Sequence, residues 1–134
     1  MNPALKTLIT NWSPAAQDTL AQCRAIFERV SGDSGIGPLD ESLKWGQPAW
    51  RPKKPRTGST VRLAWNAEEP TRLAVFVDCK TDLAARVGDL YPEFIENDRR
   101  RRMAIDLSAP FPEQAMSHMA AMTFTYHLNK RTTA

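Results

Sequence analysis

Two histidines, a scatter of carboxylates and two dense cationic runs are the groups in this 134-residue sequence that could do chemistry. His118 and His127 are the imidazoles available as bases. At about 100° per residue, their spacing in one helical stretch places them on opposite faces. His127 falls on the apolar side and His118 on the polar side, so within one molecule they share neither a metal nor a substrate. No GxSxG, P-loop, GxGxxG or HExxH pattern is present. With no nucleophile–base pair to name, the sequence leans away from catalysis.

The carboxylates do not converge in sequence. Asp40-Glu41 and Glu68-Glu69 are adjacent pairs, and neighbours point apart on a helix or a strand. Glu93, Glu96 and Asp98 form the densest acidic stretch, followed at once by Arg99-Arg100-Arg101-Arg102, which would neutralise it. A hard cation needs several converging oxygens. The arginine run reads either as a phosphate contact, for a nucleic acid or a phosphorylated metabolite, or as a solvated hairpin, and in a strand only alternate arginines share a face. Arg51-Pro52-Lys53-Lys54-Pro55-Arg56 is a second basic cluster. If the two met in space they would make an anion site. A net charge of +3 with no visible recognition module does not point to nucleic acid.

Trp45-Gly46-Gln47-Pro48-Ala49-Trp50 joins two large rings through a glycine and a proline. Rings on a constrained segment line pockets, where indole N–H groups orient a ligand. Equally, Trp45 roofs a core and Gly46 supplies an unusual backbone angle. The ligand-site reading gathers Trp45, Gly46, Pro48, Trp50 and Trp65, with Arg101 as an anion contact. The occupant would be a small ligand or a protein segment.

These residues need elements to position them. Residues 4–11 predict a short helix. Ser13-Pro14 is an N-cap followed by proline at the first helical position. It opens a helix over about 14–30, where Ala16, Leu20, Cys23, Phe27 and Val30 recur at three- and four-residue steps. The glycine-rich stretch 31–38 ends it. Leu39 to Trp50 is a short aromatic segment and 51–56 a proline-broken loop. Val61–Trp65 and Leu73–Val77 predict an antiparallel hairpin joined by Asn66–Pro70. A helix near 81–90 is capped by Asp78 or Thr81. A second hairpin pairs Phe94-Ile95 with Met103–Leu107, and a final helix covers about 112–130. The sum is one α+β domain, a small and mainly antiparallel sheet with helices on one face.

The composition agrees: 42% hydrophobic and 25% charged residues are ordinary for a globular chain. No apolar run approaches the roughly 20 residues that span a bilayer. Residues 1–13 lack the h-region of a secretory signal, so a cytoplasmic location is expected. Cys23 and Cys79 fit no CxxC pattern and read as two reduced, buried thiols. A monomer or a homodimer is expected.

Glu41-Ser42-Leu43-Lys44-Trp45-Gly46-Gln47-Pro48-Ala49-Trp50 resembles the E-x-x-K-W-G-x-P-x-aromatic segment of the YdhG-like family, domain-of-unknown-function family 1801. The order of elements around it is similar too, over about residues 14–130. The resemblance implies a compact bacterial α+β domain. It also implies an alternative function, because some relatives are described as frataxin-like iron chaperones. For that role the candidate ligands are Asp40, Glu41, Glu93, Glu96 and Asp98. The long N-terminal helix, however, carries only Asp18 and Glu28 as acids.

Overall fold

Ser13 starts the longest helix as its chemistry predicts: its Oγ accepts from the Ala16 amide at 3.1 Å, and Pro14 follows with no donor to lose. In the computed structural model, which describes residues 1–33 and 35–133 (130–133 through their backbone alone), this helix is α2, Pro14–Asp33. A shorter helix, α1 (Pro3–Ile9), precedes it, with Asn2 as N-cap. The expected positions of α2 are all buried: Ala16, Leu20, Cys23, Phe27 and Val30.

Five strands follow in simple succession. They are β1 (Leu39–Lys44), β2 (Gln47–Pro52), β3 (Val61–Ala64), β4 (Arg72–Phe76) and β5 (Arg102–Asp106). Spatial order equals chain order and every pairing is antiparallel. Helix α3 (Leu83–Leu90) connects β4 to β5, and α4 (Glu113–Phe124) and α5 (Tyr126–Thr133) end the chain. The α+β expectation holds. Among the described residues, no helix is long and apolar enough to cross a membrane.

Strand alternation divides the sheet. Trp50, Val61, Leu63, Leu73, Val75, Met103 and Ile105 join the helix residues Leu20, Phe27, Met116, Met119 and Phe124 in one core. Phe27 stands between Trp50 and Phe124, with ring centroids 5.1 and 5.7 Å away. The alternate residues, among them Gln47, Arg62, Ala64, Arg72, Ala74, Phe76 and Arg102, therefore lie on the face away from the helices.

Three expectations change. The segment 39–52 is a six-residue-a-side hairpin, not an aromatic segment followed by a loop. Its odd composition reflects an inward-facing carboxylate. Glu41 lies opposite Trp50 and so points at the helix layer. There it accepts from Arg24 Nε at 2.5 Å, from the Trp50 indole at 3.2 Å and from the Asn2 amide at 3.4 Å. Phe94-Ile95 makes only a single bridge, Ile95 to Ala104, on the edge of β5 away from β4. The final helix breaks at Thr125. Loop 53–59 reaches it there, and the Thr57 carbonyl accepts from the His127 and Leu128 amides. The break rotates the last turns, so His127 is exposed rather than on an apolar side, and His118 is exposed as well.

Two outcomes test this packing. Burial pushes the Glu41 carboxyl up, but hydrogen bonds and charge from Arg24, aided by Asn2 and Trp50, outweigh it and hold the group below its ordinary value. Its stabilising contribution is therefore complete above the unfolded pKa and is lost as pH falls through the folded one. Glu41→Ala strands a buried indole donor and should cost about 2–4 kcal/mol at pH 7 in urea denaturation. The gap to the parent should narrow towards pH 3; a constant gap would contradict the assignment. Gly58 abuts α4 so closely that an added Cβ would lie 2.1 Å from the Phe124 carbonyl oxygen. Gly58→Ala should cost on the order of 3 kcal/mol, because backbone rather than a flexible side chain must give way.

Candidate functional site

The β1–β2 turn is two residues long, Trp45-Gly46, closing the Lys44–Gln47 pair. Both residues have positive φ, 55° and 71°. That pattern suits the right-handed twist of a hairpin and normally selects Asn-Gly. Tryptophan there is a rare choice. It carries a left-handed penalty of about 1–2 kcal/mol, and burial does not offset it, because the ring is 88% exposed. The idea that Trp45 roofs the core is overturned.

Trp45 instead borders a hollow on the open face. A cavity of about 230 Å³ is lined by Lys44, Trp45, Thr60, Arg62, Asp78 and Arg101, together with Val77 and Cys79. In a flat sheet the Trp45 turn and the Thr60–Asp78 ends would lie at opposite ends of β3. One cavity holds both, so the β1–β2 hairpin curls across the sheet.

The electrostatics of this hollow are unusual. Among the described residues, the other cationic groups of the sheet's open face have partners. Arg72 pairs with Glu96 and, at 3.6 Å, with Asp106. Arg102 lies 3.7 Å from Glu96 and 4.0 Å from Glu69, and Arg51 lies 3.6 Å from Asp40. No described carboxylate lies within 4 Å of Lys44, Arg62 or Arg101. Arg62 donates to Gln47 Oε1 at 2.8 Å and lies 5.0 Å over the Phe76 ring. Burial and then the charge of Arg101 pull its guanidinium below the ordinary value, with Asp78 acting the other way. Three cations thus face one carboxylate in a concave site.

Arg101 is aimed there by Asp98. The Asp98 Oδ1 accepts from the amides of Arg100, Arg101 and Arg102 at 2.8, 2.9 and 3.0 Å. Burial raises the Asp98 carboxyl, and these bonds outweigh it to leave a net lowering. Arg99 leaves in another direction, bonded to Asp89 at 2.8 Å. The run of four is therefore divided among different tasks.

Of the residues singled out in the sequence, Trp45 and Arg101 are brought together and Gly46 shapes their turn. Trp50 and Pro48 are buried on the helix side. Trp65 is half-buried against Trp12, ring centroids 6.5 Å apart, beyond the Ala64 end of β3. The Arg51–Arg56 loop leads to the helix layer, where the Ser59 amide bonds to the Thr123 carbonyl. Arg101 meets Arg62 and Lys44 instead. Arg62 was legible as the polar position between Val61 and Leu63; Lys44, Thr60 and Asp78 gave no such signal. Cys23 is a buried free thiol whose pKa burial pushes up, whereas Cys79 is exposed, contrary to expectation.

The five acidic candidates for metal remain apart. Glu41 is held by Arg24, Asp40 faces Arg51, Glu96 binds Arg72, and Asp98 is occupied by backbone amides. Glu93 is exposed. Among the described residues, no three His, Cys, Asp or Glu side chains are grouped so as to hold a metal ion.

Compared with family models, with curated proteins and with solved structures, the chain has no match.

Replacing Trp45 separates fold from function. Trp45→Asn puts a residue that tolerates positive φ at an exposed turn, so thermal stability should stay level or rise by up to about 1 kcal/mol. A loss above that size would show that the indole has a structural task.

Proposed function

We propose that this protein binds a small anionic ligand in the open-face hollow between Trp45, Arg62 and Arg101. The observation that carries the reading is the trio Lys44, Arg62 and Arg101 in one concavity, where no described carboxylate pairs with any of them. Like charges held together on a fold cost stability unless something of opposite sign meets them. A phosphate or carboxylate group would receive charge-assisted hydrogen bonds from two guanidinium forks. Thr60 adds a hydroxyl, and the exposed indole of Trp45 adds a planar apolar lip.

Membership of the YdhG-like family is part of this proposal, supported by the segment Glu41–Trp50 and by the order of elements around it. The iron-delivery role attached to some of its relatives draws no support from the carboxylates, four of which are already engaged. A cytoplasmic site of action fits a chain with no apolar spanning helix among its described residues.

Calorimetric titration with inorganic phosphate and with citrate at low ionic strength tests the reading. Binding should weaken as salt is added. Arg62→Ala and Arg101→Ala should each reduce affinity by about tenfold or more, the worth of one charged hydrogen bond. Lys53→Ala/Lys54→Ala, in the loop away from the hollow, should leave it unchanged. Absence of binding by either anion, or equal losses from the loop variant, would end the proposal.

A further inference from the structure

A second hollow lies beside the first on the same face. Its volume is about 190 Å³, and it is walled by Gln47, Trp65, Asn66, Phe76 and the pair Arg72 and Arg102. Its floor is low because Ala64 and Ala74 lie opposite each other in the β3–β4 register. The two hollows meet at Arg62, which lines the first while lying over Phe76, which lines the second. Arg62 and Ala64 are two residues apart on β3, a separation of about 7 Å, which leaves room for a pentose joining a phosphate to a base.

The hollows differ in charge. In the second, Arg72 and Arg102 have carboxylate neighbours in Glu96, Asp106 and Glu69, so the site is close to neutral. Its hydrogen-bonding capacity lies elsewhere. Gln47 uses its oxygen on Arg62, and Asn66 uses its own on the amides of Glu68 and Glu69. Neither side-chain nitrogen has a partner among the described residues, so both amide N–H groups are available as donors. Glu69 adds an acceptor, and Phe76 and Trp65 add flat apolar faces. A neutral planar group with donors and acceptors on its edge suits such a hollow.

We infer that the ligand is a free nucleoside monophosphate, its phosphate at Arg62 and Arg101 and its base in the hollow formed by Gln47, Asn66 and Phe76. The inference rests on the anion-binding reading above and names the ligand class for that site. Two hollows accommodate one phosphate and one base, which favours a single nucleotide over a strand. The pentose spans the Arg62–Phe76 row.

Calorimetry with inorganic phosphate, ribose 5-phosphate, the four ribonucleoside 5′-monophosphates and a ten-nucleotide single strand tests it. At least one monophosphate should bind tenfold or more tighter than ribose 5-phosphate. Ala74→Leu, which fills the second hollow, should abolish that advantage while leaving phosphate affinity unchanged. Asn66→Ala should lower it several-fold and serves where the leucine variant melts early. Phosphate binding that depends on Arg62 and Arg101, with no monophosphate better than ribose 5-phosphate, would overturn this inference and leave the anion site standing. An advantage lost in Trp45→Asn but kept in both Ala74→Leu and Asn66→Ala would overturn the placement of the base. A strand binding a hundredfold tighter than any mononucleotide would overturn the choice of ligand. No binding by phosphate or any nucleotide would remove the anion site itself.

Discussion

The Glu41 carboxylate is the interaction on which the rest of the arrangement depends. A charge pointing from a strand towards a helix layer is unfavourable unless it is fully partnered. Here the partners come from three elements: the Asn2 amide ahead of α1, Arg24 on α2 and the Trp50 indole on β2. The Asn2 side chain also donates to the Glu41 carbonyl oxygen at 3.2 Å. One side chain thus ties the chain's start, its longest helix and the first hairpin together. Trp50 is held with its polar edge satisfied and its body against Phe27. The hairpin is then anchored along its middle, and its free end can carry a turn of unfavourable composition.

That anchoring gives the sheet its two characters. Towards the helices, alternate residues of β3, β4 and β5 fill a core of large apolar side chains. Away from the helices, the same strands present arginines, alanines and Phe76. Alternation makes this division inevitable once the apolar set is buried, since a shift by one residue would exchange the faces. What alternation does not set is the pattern of charge compensation. Arg72 and Arg102 meet acids supplied by the loops around 69 and 96. Arg62 shares a row with Phe76 and Arg102, yet it is met by an amide, a ring and another arginine.

How much of this was legible depends on the range of the interactions. The helix α2 declares itself through Ser13, Pro14 and its three- and four-residue steps, all local signals. The hairpin β3–β4 does the same through Val61, Leu63 and the apolar run at Leu73. The β1–β2 hairpin was hidden because Asp40, Glu41, Lys44, Pro48 and Pro52 are poor strand formers. What makes them a strand is Arg24, which lies 17 positions away from Glu41 in sequence. The break at Thr125 was equally hidden, since Thr57 and Gly58 impose it from a distant loop. At the site, Trp45 and Arg101 stood out by residue type. Their meeting with Lys44 and Arg62 follows from the curl of a hairpin that the sequence did not announce.

Costs without a structural return are the clearest physical mark of function on this molecule. Most of the fold resolves its conflicts: the half-buried Glu41 carboxylate has its arginine, Asp98 has three amides, and the close approach at Phe124 meets a glycine. Around the first hollow two conflicts are left open together. An exposed tryptophan holds a left-handed backbone that asparagine or glycine would hold more readily. Two arginines stand close enough for one to depress the other's affinity for its proton. Neither feature supports the core, and each is a place where replacement would ease the free protein. Strain kept at a concave, cationic and aromatic site is what pre-organisation for an anion requires, because groups already in place lose little freedom when the ligand arrives. An anion's charge would remove the repulsion, so binding would stabilise the fold through the contacts that carry it.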